Sequence, residues 1–110
     1  MADSYHSESR YYKQVSGLST NTQDFIPSNG EIINITEVGG SSPGPNSTVI
    51  VAWDADGANN IVLATTSESR QSTLQSFTGD GVKVMRITLK NANAFSVYMG
   101  GYFIYERINF

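Results

Sequence analysis

Cysteine is absent from this 110-residue chain, so neither a disulfide framework nor a thiolate metal site can form. Charge is also scarce, because charged residues make up 15% of the chain and the net charge is -3. No basic cluster could neutralise a run of phosphates, and we expect no nucleic-acid partner. Long apolar runs and a basic, apolar N-terminal leader are missing as well. We therefore expect no membrane partner and no signal peptide.

Helical spacing is missing too, because clusters of Gly, Pro, Asn and Asp interrupt every window. Apolar runs separated by turn residues instead predict about eight strands. The predicted strands cover residues 4–15, 22–26, 31–38, 48–54, 61–66, 71–77, 82–90 and 95–108. The pattern predicts a single all-β domain over residues 1–110, an antiparallel β-sandwich that is jelly-roll-like, with residues 1–15 as an arm or edge strand. An immunoglobulin-like arrangement and an open-ended barrel are alternatives.

Two segments carry the strongest core pattern. Residues 48–54 form a near-continuous apolar run, and Trp53 within it is the predicted core anchor. Residues 61–66 are apolar on both faces, which predicts an antiparallel hairpin with 48–54 at the middle of a sheet. Residues 39–46 hold two prolines and three glycines, so they predict the longest loop.

Side-chain parity makes further predictions in two strands. In residues 31–38, Ile33 and Ile35 share one face, and Val38 falls on the other. In residues 82–90, the parity of the apolar residues changes between Val84 and Met85, which predicts a β-bulge or a twist there.

The last predicted strand runs for 14 residues, or about 46 Å at ~3.3 Å per residue, which exceeds the width of a small sandwich. We expect it to bend near its two central glycines and to leave some backbone and rings without an intrachain partner. Phe103 and Tyr105 share parity with Met99 and are expected in the core, whereas Tyr98 and Tyr102 are expected to be more exposed. A homo-oligomer would cover this surface, and its predicted interface consists of Tyr98, Gly100, Gly101, Tyr102, Tyr11 and Tyr12.

Catalytic and metal-binding patterns are weak. His6 is the single histidine and has no acid or nucleophile pattern beside it, so no triad can be assembled. Several carboxylates could form a glycosidase pair, but sequence spacing selects none of them. The segment containing Asp54, Asp56, Asn59 and Asn60 offers oxygen ligands for calcium, but its order does not fit the known loop, and these residues are ordinary in hairpin turns. We expect no catalytic residue, no metal and no cofactor.

The start of the chain from Met1 to Ser9, the turn from Thr78 to Lys83 and the strand from Tyr98 to Tyr102 resemble small virion accessory proteins of tailed bacteriophages. The resemblance implies a β-sandwich that decorates or joins a capsid, tail or fibre, in contact with itself and with other virion proteins. It places the chain in a virion or in the host cytoplasm. Two hypotheses result. The first is a structural or assembly protein that oligomerises through its terminal strands, with dimers and trimers as the simplest closed forms. The second is a carbohydrate-binding module that uses exposed tyrosines and binds glycans.

Overall fold

Strands provide all the regular secondary structure of the computed structural model, which describes residues 3–44, 46–55 and 58–109. No helix in these ranges is long and apolar enough to span a membrane. The eight strands are β1 (Asp3–Val15), β2 (Ser19–Phe25), β3 (Ile32–Ser41), β4 (Ser47–Ala55), β5 (Ala58–Thr65), β6 (Ser69–Thr78), β7 (Val84–Asn91) and β8 (Val97–Asn109).

The strands pair in a nested order, β1 with β8, β2 with β7, β3 with β6 and β4 with β5, and every pair is antiparallel. Pairing of β3 with β8 and of β4 with β7 completes two four-stranded sheets. The first sheet has the order β1-β8-β3-β6 and the second has the order β2-β7-β4-β5. This nesting is a jelly roll, so the predicted antiparallel sandwich is confirmed.

The core lies between the two sheets and is built from the inward-facing residues of the strands. Trp53 is 4% exposed, and its ring stacks on that of Phe77 with the ring centroids 5.1 Å apart. The prediction that Trp53 anchors the core is confirmed. Phe103 and Tyr105 are also buried, as their parity predicts.

The expected bulge lies in a different strand. Ile33 and Ile35 are buried, but Val38 is buried as well, because the pairing of β3 shifts register between Ile35 and Glu37. An extra residue at that point returns Val38 to the core face. The bulge predicted at Val84 and Met85 is wrong, since β7 begins at Val84 and pairs without a register shift.

Two segment predictions also need correction. The β4–β5 hairpin is confirmed, but β5 is an edge strand rather than the middle of a sheet, and Ile61 is 58% exposed. The loop predicted over residues 39–46 is shorter, because β3 continues through Gly39 and Gly40 and ends at Ser41. These glycines pair with Tyr102 and Gly101 of β8, so they are part of the ladder.

The last strand is an inner strand. It pairs with β1 from Val97 to Asn109 and with β3 from Gly100 to Ile108, and its pairing with β1 shows no register shift at the glycines. The predicted bend and the predicted lack of intrachain backbone partners are therefore wrong. The free edge of this sheet belongs to β1 instead.

Polar networks fix both ends of the sandwich. At one end, Asn91 is 1% exposed and donates from Nδ2 to the carbonyl oxygens of Val15, Ser16 and Phe95 at 3.0, 3.2 and 2.9 Å. At the other end, Arg107 donates to both carboxylate oxygens of the buried Glu31 at 2.7 and 3.0 Å.

Candidate functional site

A groove crosses the outer face of the first sheet because its two inner strands carry glycine there. One cross-strand row reads Arg10, Tyr102, Gly39 and Arg70, taken from β1, β8, β3 and β6 in turn. Residues that pair directly across strands share a face, so the two arginines flank the tyrosine on the same side of the sheet. The missing side chain at Gly39 leaves room for the Tyr102 ring.

The next row repeats this arrangement, with Tyr12 of β1 paired to Gly100 of β8 and Gly100 paired to Ser41 of β3. A Cβ atom added to Gly100 would collide with the Tyr12 ring, and one added to Gly39 would collide with the Tyr102 ring. Each tyrosine ring therefore lies against the backbone of a glycine on a neighbouring strand.

The resulting concavity, here called the Tyr12–Tyr102 groove, has a volume of about 690 Å³. That volume falls within the range of about 300–1,000 Å³ that is usual for small-molecule sites. Its lining consists of Arg10, Tyr12, Gly40, Ser41, Glu68, Ser69, Arg70 and Tyr102.

Hydrogen bonds and charges hold the groove residues in place. The Tyr102 hydroxyl donates to Glu37 Oε2 at 2.7 Å, and the Arg10 guanidinium carbon lies 5.2 Å from the Tyr102 ring centre and 5.7 Å from that of Tyr12. Arg10 Nε donates to Glu8 Oε1 at 2.5 Å. The Arg10 guanidinium is thus fixed above two aromatic rings by a carboxylate on its own strand.

Both phenols remain protonated at neutral pH. Burial is the largest cause and the hydrogen bond to Glu37 is the next largest; together they raise the pKa of Tyr102 to about 12. Burial also raises the pKa of Tyr12, although the Arg10 charge opposes that shift. The groove therefore presents neutral aromatic rings beside charged donors and acceptors.

The six residues predicted for the interface divide between the two faces of the first sheet. Tyr98 and Tyr12 lie on the outer face with Gly100 and Tyr102, whereas Tyr11 packs against the core. Gly101 also faces inward, since a Cβ atom there would lie 2.8 Å from Val49 Cγ1. Whether the outward residues contact a second copy stays a prediction.

The exposure expected for the two β8 tyrosines is half right. Tyr98 is 67% exposed, but Tyr102 is only 8% exposed because its ring lies against Gly39 and beneath Arg10. Arg10, Arg70 and Glu68 also line the groove, although the sequence did not predict them as site residues. No local motif marks them, because their proximity depends on the pairing register of four strands.

The calcium candidate lies in the β4–β5 hairpin, where Asp54 pairs with Asn59 through the backbone. Asp56, the side chains of Asp54, Asn59 and Asn60, and the side chain of His6 lie outside what the structure describes. Elsewhere in the described ranges, no group of three or more His, Cys, Asp or Glu residues could hold a metal ion.

A second surface of interest is the free edge of β1. This strand is 13 residues long, pairs with β8 without a register shift, and has no strand on its other side among the described residues. The edges formed by β5 and β6 differ, because the ladder beside each contains a register shift. The β2 edge is regular but only seven residues long. The β1 edge is thus the longest regular edge described.

Comparison with known proteins gives structural likeness only. No protein-family model matches the chain, and no curated protein matches it. The crystal structure of the Yersinia pseudotuberculosis-derived mitogen is 11% identical, with a TM-score of 0.54 over 89% of this chain and 84% of that one. At that identity the likeness shows the fold alone.

Two further solved structures are also 11% identical. The Drosophila NLP core, described in connection with pentamer formation and histone binding, has a TM-score of 0.49 over 91% of this chain and 98% of that one. The acidic stable capsid structure of the Helicobacter pylori bacteriophage KHP30 has a TM-score of 0.48 over 99% of this chain and 94% of that one.

Proposed function

We propose that this chain is a structural subunit that self-associates through the β1 edge. The observation that carries the proposal is the length and regularity of this edge, which offers 13 residues in unbroken register. An unpaired edge of that kind pairs readily with another strand, and native proteins usually interrupt such edges. Bulges interrupt the ladders beside β5 and β6, whereas the ladder beside β1 is continuous.

Charge favours one register of such an association. Two β1 strands can pair antiparallel about a two-fold axis so that both copies keep their outer faces on the same side of the joined sheet. Residues of the same parity then lie opposite each other. An axis at Ser9 places Glu8 opposite Arg10 of the second copy, in both directions. Axes at Glu8 or at Arg10 would place like charges opposite each other, which is unfavourable. We therefore propose pairing centred on Ser9.

Sedimentation velocity at tens of micromolar protein tests the association, and an oligomer is expected. Glu8→Arg and Arg10→Glu should each weaken it, because each places two like charges across the new ladder, whereas the double variant should restore it. Lys90→Glu serves as the matched control, since Lys90 is exposed on β7, outside the first sheet. A monomeric wild type, or single variants that associate as well as the wild type, would contradict the proposal.

We further propose that the assembly belongs to the virion of a tailed bacteriophage and that the chain carries out no catalytic step. The sequence resemblance at the N-terminus, the Thr78 to Lys83 turn and β8 supports this part. Mass spectrometry is expected to find the chain in purified virions. Before assembly, the chain is expected in the host cytoplasm. Its recovery from lysate alone would contradict a virion role and leave the β1 association untouched.

A further inference from the structure

We propose that the Tyr12–Tyr102 groove binds a neutral saccharide. This inference goes beyond self-association. The groove shares Arg10 and Tyr12 with β1, but its other lining residues lie away from the β1 edge. It rests on the shape of the groove and on its combination of aromatic rings with both donors and acceptors.

The aromatic part of the groove suits a sugar ring. A pyranose presents an apolar face of C–H groups and a rim of hydroxyl groups, and a tyrosine presents a flat apolar body with a polar tip. Tyr12 is only half-buried where it lies on Gly100, and the neighbouring Tyr98 on the same face is 67% exposed. The Tyr12 ring forms the wall of the groove on the β1 side, and the Tyr98 ring extends the aromatic surface beyond the groove.

The polar part of the groove supplies the hydroxyl partners. Arg70 and Glu68 line the β6 side, and within the described residues neither side chain makes a hydrogen bond or ion pair. A guanidinium offers several donors in one plane, and a carboxylate offers two acceptors, so each can contact two adjacent hydroxyl groups. Ser41, which pairs with the outward-facing Gly100, adds a hydroxyl group that both donates and accepts.

The charge balance favours a neutral ligand over an anion. Arg10 and Arg70 contribute positive charge to the lining, but Glu68 lies in the same groove and Glu8 already pairs with Arg10. A phosphate or an acidic sugar would therefore meet opposing charges. A neutral saccharide can use the donors and the acceptors at once.

The test uses the full chain and a fixed set of probes: cellohexaose, maltohexaose and mannohexaose as neutral sugars, with hyaluronan hexasaccharide and inorganic phosphate as anions. Calorimetric titration should show that at least one neutral hexasaccharide binds. In a parallel titration monitored by NMR, the amide chemical shifts of Tyr12, Ser41 and Arg70 should change. Tyr12→Ala and Arg70→Gln should each weaken that binding by about tenfold or more, a loss equivalent to ~1.4 kcal/mol.

Tyr12→Phe should retain binding because the ring is preserved, and it guards against a folding defect in Tyr12→Ala. Phe95→Ala is the matched control, since Phe95 is 64% exposed and does not line the groove. The proposal is overturned if no neutral hexasaccharide binds, if an anion binds in preference, or if both groove variants bind as the wild type does. Sizing of Tyr12→Phe and Arg70→Gln separates this result from the β1 association, which neither variant should change.

Discussion

Asn91 joins three segments of the chain, so replacing it with alanine tests how much one buried amide stabilises the jelly roll. Its Nδ2 donates to the carbonyl oxygens of Val15 at the end of β1, of Ser16 just after it and of Phe95 before β8. Its Oδ1 accepts from the backbone nitrogen and the Nδ2 of Asn93 at 2.9 and 3.1 Å. Asn91→Ala removes all of these hydrogen bonds, and the backbone hydrogen bonds from Leu18 to Asn93 and from Ala92 to Asn46 remain.

The size of the effect follows from the hydrogens available. Two hydrogens on Nδ2 are shared among three carbonyl oxygens, and two donors of Asn93 point at Oδ1. Two donated and two accepted bonds at about 1 kcal/mol each predict a loss of about 4 kcal/mol. Because Asn91 is 1% exposed, water reaches the orphaned carbonyls poorly, so the loss should not fall far below that value. Typical domains have about 5–15 kcal/mol of total stability, so the variant would be severely weakened.

Urea unfolding followed by the fluorescence of Trp53 measures this loss, since Trp53 is the single tryptophan and is buried. All variants are compared at one protein concentration, because association would shift the apparent stability. Asn21→Ala is the matched control, since the Asn21 side chain donates a hydrogen bond only to the carbonyl oxygen of its neighbour Thr20 among the described residues, and little change is expected. A loss below about 1 kcal/mol for Asn91→Ala, at an unchanged dependence on urea, would refute the reasoning.

Three further predictions concern buried groups. Trp53→Ala should lower the free energy of unfolding by about 3–5 kcal/mol in urea titrations, because it leaves a cavity beside Phe77; native fluorescence typical of an exposed indole would contradict this. Arg107→Ala should cost about 3 kcal/mol in the same assay, because Glu31 would remain buried without its bidentate partner; a loss below about 1 kcal/mol would count against it. The raised pKa of Tyr102 predicts a stability contribution that is complete below the ordinary value of 10.0 and is lost as pH rises towards about 12. An absorbance titration should show a late-ionising phenol that Tyr102→Phe removes, and an unchanged profile in Tyr102→Phe would contradict the assignment.

The fold was largely predictable from the sequence because strand alternation is local. The run containing Val49, Val51 and Trp53 alternates cleanly, and all three residues are buried in β4. Prediction failed where the alternation is interrupted, since the register shift before Glu37 moves Val38 to the core face. A bulge depends on the pairing partner, and neither Thr36 nor its neighbours carry a local mark of it.

The position of a strand in its sheet was harder to predict than its existence. β5 is apolar on both faces, which is typical of an inner strand, but it lies at an edge with Ile61 exposed. β8 is rich in aromatic residues and glycine and was expected to lie partly unpaired, but it lies between β1 and β3. Composition reports how much of a strand is buried and does not report how many neighbours its backbone has.

The candidate groove shows why a binding surface of this kind escapes sequence reasoning. Arg10 and Arg70 are sixty positions apart in the chain, yet they belong to one cross-strand row because Tyr102 and Gly39 pair between them. A shift of one residue in any of these three ladders would turn one side chain to the opposite face and abolish the row. The glycines matter for the same reason, since Gly39 and Gly100 face outward beneath rings from neighbouring strands, whereas Gly101, one position further on, faces Val49 in the core. A Gly100→Ala substitution should therefore displace the Tyr12 ring and weaken saccharide binding in the titrations above, and unchanged binding in a folded Gly100→Ala variant would show that the ring position does not depend on this glycine.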